Sequence, residues 1–352
     1  MCLRSSSSAL SILPMHLNVL ESLLQKDRLT ALDVGARLGL HPRFQKFLKL
    51  LQVDAIEPDP AECDRLQANA DPRVTYYPEA LAQRSGPASF YQLQTRSGSS
   101  LYPPSQPVPA PFRPPPSYWT VDQVVQTQCL SFSDFRRKHG TAPPVLVKLD
   151  TQGSELDILR GFSAEDWADV LCIETEVEFT ELYCGQPLFH DLHPFLAERG
   201  FGLIGLTRHP TFFGRNGNKY HYLGGELQLF KDQFGRIASP FVSGDAVYFR
   251  LPFEADPFRD RKRFLRFVVC SIIYDHLDLA LWLCDDSRAG ALLATDDLAR
   301  LRTCVRRHSP RSGPAELFMR KLARRGRDCS RRWLTRRVAG ASGTSAQIGS
   351  IP

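Results

Sequence analysis

The chain has 352 residues, 43% of them hydrophobic and 23% charged, with a formal net charge of +6. That composition excludes a fibrous or collagen-like protein, and the length is enough for one enzyme domain with a large core plus an extension. Nine cysteines, at 2, 63, 129, 172, 184, 270, 284, 304 and 329, form no C-x-x-C pair and no structural-zinc spacing, so a reducing, cytoplasmic compartment is expected rather than a disulfide scaffold.

The opening Met1-Cys-Leu-Arg-Ser-Ser-Ser-Ser is followed by Pro14, His16 and Asn18, which interrupt any apolar core, so no export signal is expected. Leu17, Leu20, Leu23 and Leu24 are helix-spaced, and residues 1–28 read as an N-terminal helical segment. Leu29 to Val34 is an apolar strand that contains Asp33; Gly35 and Gly39 form the turn, and Leu40 to Leu51 carries helix-spaced apolar residues. Glycines at such a turn let a ligand pass close to the backbone where a Cβ would block it, and the following helix would offer N–H groups to an anion. Glu57 ends a second strand, placed to accept hydrogen bonds from two ribose hydroxyls. A dinucleotide needs G-x-G-x-x-G. The G-x-x-x-G here leaves no pyrophosphate cradle and suits S-adenosyl-L-methionine, with Asp33 placed to meet its ammonium.

A third strand near 73–77 precedes Glu79, expected beside the adenine amino group or as a plain loop carboxylate. From 84 to 143 the helix expected after that strand is missing: a strand-like Ala88 to Leu93 leads into a segment with eight prolines between 103 and 116. Such a loop is extended without being floppy, and 102–116 reads as an active-site lid, a surface insertion or a docking segment.

The string Pro144-Val-Leu-Val-Lys-Leu-Asp-Thr-Gln-Gly-Ser-Glu-Leu-Asp-Ile-Leu-Arg-Gly161 resembles the FkbM-type methyltransferases, in its Lys148-x-Asp150, its Gln152-Gly153-x-Glu155 and its Leu159-x-Gly161. The glycine turn, Glu57-Pro58, Ser99-Ser100-Leu101, Ile173-Glu174-Thr-Glu176 and Leu182-Tyr183-x-Gly185-Gln186 are similar to the same pattern, over roughly residues 29 to 250. Family members often carry Asn where this chain has Arg37, whose guanidinium would pair with a carboxylate or, as expected here, project into solvent. The resemblance implies a Rossmann-like class I α/β fold: a seven-stranded, mostly parallel sheet with helices on both faces and the last strand antiparallel. Strands near 29–34, 52–57, 73–77, 144–150, 170–177, 201–207 and 245–250, alternating with helices near 38–51, 60–70, 154–161 and 188–199, agree with that architecture. Residues 212–231 read as an inserted hairpin turning at Asn216-Gly217. The domain is expected over 29–252.

Its implied activity is S-adenosylmethionine-dependent O-methylation of a hydroxyl on a sugar, glycan or secondary metabolite. The alternative is a methyltransferase-like binding or scaffold protein. An N-P-P-Y acceptor motif, as used for methylating amino groups, is absent after the fourth strand. Asp150 is the expected base or metal ligand beside the acceptor hydroxyl, with Glu155 as a second polar group of the site or a capping residue, and Lys148 as its paired neighbour or a base of lowered pKa. Gly35, Gly39, Asp33, Glu57 and Glu79 are the expected cofactor residues. Glu174 and Glu176 with Asp150 make a magnesium site conceivable, though no metal is expected; His190 and His193 lack a third ligand.

Residues 264–284 are apolar but carry Arg266, Asp275, His276 and Asp278, which argues for a buried helix rather than a membrane span. Residues 253–340 read as a basic helical extension: 302–337 hold thirteen Lys or Arg against two acidic residues, read as a solvated helical bundle or as a surface for an anionic partner or membrane. Deletion of 300–352 is expected to leave cofactor affinity unchanged, and 341–352 reads as a disordered tail.

Overall fold

A computed structural model describes residues 13–25, 27–105, 119–208 and 242–308. The expected hairpin at 212–231, most of the proline-rich segment, and the basic stretch and tail beyond His308 lie outside them.

Helix α1 (Leu13–Leu24) leads into β1 (Leu29–Val34), then α2 (Pro42–Lys46), β2 (Leu51–Ile56), α3 (Pro60–Gln67) and β3 (Val74–Tyr77). Next come β4 (Ala80–Leu81), β5 (Gly86–Leu93), β6 (Val121–Leu130) and α4 (Phe132–His139). The chain continues through β7 (Leu146–Leu149), α5 (Glu155–Arg160), α6 (Ala164–Trp167), β8 (Cys172–Glu178), α7 (Phe189–Ala197), β9 (Phe201–Arg208) and β10 (Ser243–Arg250). Five helices follow: α8 (Pro252–Ala255), α9 (Arg261–Ile273), α10 (Leu277–Asp285), α11 (Ala289–Leu292) and α12 (Thr295–His308).

Seven strands form one sheet in the order β3-β2-β1-β7-β8-β10-β9. All neighbours are parallel except β10, which runs antiparallel to both β8 and β9. The fold is the Rossmann-like class I methyltransferase architecture. β1 is buried along nearly all its length, as a central parallel strand covered on both faces must be. The strand order reverses between β1 and β7, so the crevice beyond their carboxyl ends is where such a sheet binds ligands.

The helix after β1 is much shorter than the periodicity suggests. Gly39 turns at φ +95°, Asp33 Oδ2 accepts from the His41 N–H at 2.8 Å, and Pro42, which has no N–H to offer, begins α2. That N–H is spent inside the protein, so α2 is not the anion-binding helix end that the turn suggests.

The helix thought missing after the third strand is present as α4. Ser131 caps it, its hydroxyl accepting from Asp134 N–H, and Gly140 ends it at φ +67°. Only Phe132 and Phe135 give it an apolar face, which hides it in a polar sequence. Before it, β5 and β6 pair antiparallel and, with β4, make a second, three-stranded sheet.

From Arg263 to Ile273 α9 is buried apart from Arg266, which is half-buried and paired with Asp169 at 2.9 Å. No described helix is long and apolar enough to cross a membrane. α1, α9, α10 and α12 share one hydrophobic core with β1 and β2. Leu301, Cys304 and Val305 of α12 are buried in that core, so a deletion beginning at 300 removes part of it. A chain cut after Ala299 is expected to lose several degrees of melting temperature relative to one cut after His308. Each buried Leu or Val contributes about 1.5–3 kcal/mol. Equal melting curves would show that α12 does not hold the core.

Candidate active site

A cleft opens at the carboxyl ends of β1, β2 and β7, with β5 and the loop after it on the far side. Gly35, Arg37, Glu57, Asp59, Glu79, Phe90, Gln92, Arg96, Ser99, Asp150 and Gln152 are among its lining residues. Gly35 is required by space: it sits at φ +85°, and a Cβ there would fall 1.9 Å from the Asp150 carbonyl oxygen. The β1 turn and the end of β7 are thus in backbone contact. Gly39, also left-handed, has nothing nearer its missing Cβ than Leu66 Cδ2 at 4.0 Å, and it does not line the cleft.

Asp33 is fully buried one layer behind Gly35. Its Oδ2 holds His41 N–H, and its Oδ1 lies 3.7 Å from Lys148 Nζ without a hydrogen bond. The carboxylate is enclosed by the protein and does not line the cleft. Burial pushes its pKa up, against Lys148 and the His41 N–H. Lys148 faces it because the two residues are register partners in the sheet. The same ammonium reaches Asp150 Oδ2 at 3.3 Å. Burial alone would lower the Lys148 pKa, yet the two carboxylates outweigh it and hold it above its usual value. Lys148 is therefore a fixed cation, paired as expected, and unsuited to act as a base.

Asp150 is half-exposed at the cleft wall, its side chain 44% accessible. Desolvation raises its pKa, but Lys148 and the Gln152 amide overcome this and hold it below the usual carboxylate range. Gln152, left-handed at φ +60°, donates from Nε2 to Asp150 Oδ1 at 2.9 Å and to Glu176 Oε2 at 2.6 Å, and accepts from Tyr183 OH at 3.0 Å. Two carboxylates on one side and a hydroxyl on the other determine which way that amide points. Ser100 Oγ donates to the Gln152 carbonyl at 2.7 Å, strapping the loop after β5 to the same turn.

Glu155 is buried and does not line the cleft. Its Oε1 accepts from Thr151 N–H at 2.6 Å and Thr151 Oγ1 at 3.1 Å, and its Oε2 from Gly153 N–H at 2.9 Å. Those bonds shape the 151–153 turn, which is the capping alternative. Glu79 lines the cleft but its Oε1 is held by Lys138 at 2.7 Å and His139 at 3.0 Å. Glu57 Oε1 accepts from Asp59 N–H at 2.9 Å, and burial raises its pKa. Arg37 does not project into solvent: it reaches Glu57 and Asp59, because the Gly35 and Ala36 N–H groups both donate to Ile56 O and hold the turn against the end of β2.

Glu174 is paired with Arg43 at 3.1 Å. Among the described residues no cluster of three or more His, Cys, Asp or Glu could hold a metal ion. His190 pairs with Asp191, and His193 meets Tyr248 OH at 3.2 Å.

Sequence reasoning missed Gln152 as a bridge and Glu178 altogether. Glu178 is buried, and desolvation together with Glu176, Glu155 and Asp150 raises its pKa well above normal. The available signal was the Glu174, Glu176, Glu178 alternation, which puts three carboxylates on one face of β8. The proline-rich segment leaves this same edge: Ser105 N–H donates to Leu182 O at 2.9 Å and Cys184 N–H to Pro103 O at 2.8 Å.

No curated protein sequence matches this chain. Among solved structures, it is similar to a methyltransferase FkbM from Methylobacillus flagellatus KT at 15% identity, covering 63% of this chain and 44% of that one with a TM-score of 0.35. It is also similar to a TehB-like SAM-dependent methyltransferase from Corynebacterium glutamicum at 9% identity, over 67% and 87% with a TM-score of 0.26. A precorrin-6y C5,15-methyltransferase from Geobacter metallireducens GS-15 is similar at 10%, over 70% and 94% with a TM-score of 0.29. This chain thus spans less than half the length of the first of them, and at these scores the fold rests on its own strand order. Residues 33–203, which line the cleft and carry most of the sheet, match the family model of the methyltransferase FkbM domain.

Proposed function

We propose that the cleft binds S-adenosyl-L-methionine and that the chain methylates a hydroxyl of a sugar, a glycan or a secondary metabolite. The observation that carries the cofactor reading is the convergence of Gly35, Glu57 and Asp150 at the tips of three adjacent strands. A Cβ-free turn, a carboxylate with one oxygen left for ribose, and an anionic acceptor-side group fit a sulfonium nucleoside.

When bound, the cofactor supplies an electrophilic methyl group for in-line displacement. The protein's share is positioning. Lys148 keeps Asp150 anionic, and Gln152 orients it. In this reading Asp150 holds the acceptor hydroxyl and receives its proton as the oxygen becomes the nucleophile. Glu155 acts by fixing the turn that carries Gln152, while Asp33 and Gly39 shape the turn after β1. Glu79 closes the adenine end with Lys138 and His139. The sugar or metabolite acceptor rests on the family resemblance. A cytoplasmic location is supported by the seven described cysteines, all of them free thiols.

Calorimetry with S-adenosylhomocysteine is expected to give saturable binding at a single site, and complete absence of heat would remove the reading in favour of a scaffold. Transfer of labelled methyl to a panel of glycosides and polyols would then identify the acceptor.

A further inference from the structure

Arg37 is one of the residues lining the cleft. Its Nη1 donates to Glu57 Oε1 at 3.3 Å and to Asp59 Oδ2 at 3.2 Å, with a quarter of the side chain still accessible. The Asp59 N–H donates to the same Oε1. One oxygen of Glu57 is thus gripped by two donors from two elements, the turn after β1 and the N-cap of α3. Among the described residues no hydrogen bond engages Oε2, and Arg37, Glu57 and Asp59 all line the cleft.

The geometry points to Arg37 as a positioning residue for the cofactor: it pins Oε1 of Glu57, leaves Oε2 for the ribose hydroxyls, and keeps that carboxylate charged. The inference rests on the cofactor reading above. A buried carboxylate beside other acids needs such a partner. Glu57 is pushed up by burial and by Asp59 and Glu62, and is drawn back by the Asp59 N–H and the Arg37 guanidinium. The remaining neighbour, Cys63 of α3, is a thiol raised to about 11 and brings no charge at neutral pH. A protonated Glu57 would lose acceptor strength toward ribose, so cofactor affinity falls as pH falls through the Glu57 pKa. Removing Arg37 raises that pKa and moves the loss toward neutrality.

The test compares wild type, Arg37→Ala and Arg37→Lys by S-adenosylhomocysteine calorimetry from about pH 5 to 8, around the carboxylate titration range. Carbon-detected NMR titration of the Glu57 carboxyl, assigned with Glu57→Gln, runs alongside in the ligand-free proteins. Arg37→Ala is expected to raise the Glu57 midpoint by about one pH unit and to weaken binding about tenfold near the acid end. Lys, which keeps the charge, restores most of the midpoint. An unchanged midpoint and affinity in Arg37→Ala would overturn the assignment, and tighter binding would make Arg37 a plug. A wild type that binds nothing overturns the cofactor reading and this role with it, whereas binding wild type with an indistinguishable Arg37→Ala overturns this role alone.

Discussion

Replacing Asp150 by Asn is expected to lower kcat at saturating cofactor by about 10²–10⁴-fold, the range for a positioned proton acceptor, with S-adenosylhomocysteine affinity nearly unchanged. The amide keeps the shape and can still accept from Gln152. It loses the charge that meets Lys148 and the acceptor proton. Because Asp150 is half-exposed and Lys148 retains Asp33, the stability cost is modest, of the order of 1 kcal/mol. The pH profile separates this role from a structural one. Lys148 holds Asp150 below the usual carboxylate range, so the required ionised form persists through neutrality, and kcat is lost only as pH falls below that range. An acid limb above the usual carboxylate range, or near-normal turnover in the Asn variant, would remove Asp150 from the reaction. A low pKa also makes Asp150 a weak base, which is why holding and orienting the hydroxyl is the larger part of its proposed work.

The second large effect is at Gly35. Alanine there carries a left-handed strain of about 1–2 kcal/mol and drives its Cβ into the Asp150 carbonyl, an overpacking cost of roughly 1–3 kcal/mol or more. The only relief is to move the end of β7, which displaces Asp150 as well. Gly35→Ala is therefore expected to lower both unfolding free energy and turnover, while Gly39→Ala, facing open space, costs the strain alone. Chemical denaturation of the two variants measures the difference. Equal losses at 35 and 39 would show that the contact between the turn and β7 does not matter.

The strands were legible because each is a short apolar run bounded by turn residues, and β1, β2, β7, β8, β9 and β10 lie where those runs predict. The cleft was legible because a left-handed glycine and a carboxylate at consecutive strand ends are local features. α4 was not legible, since two phenylalanines among charged residues carry little periodic signal. The reach of Arg37 was misread because the turn that carries it is held to the end of β2 by long-range backbone bonds from Gly35 and Ala36 to Ile56 O, which spacing does not reveal.

The sequence by itself determined the order of strands and helices, the turn that leaves room for a ligand, and the presence of Glu57 and Asp150 at strand ends, since periodicity and glycine placement act within a few residues. Only the tertiary structure decided the charges: that Lys148 lies between Asp33 and Asp150, that Glu178 is buried among three other carboxylates, and that Glu155 is spent on a turn. It also decided that α9 to α12 belong to the core of the domain. Ion pairing and desolvation depend on which distant strands become neighbours and in what register, and that information appears only once the sheet has closed around them.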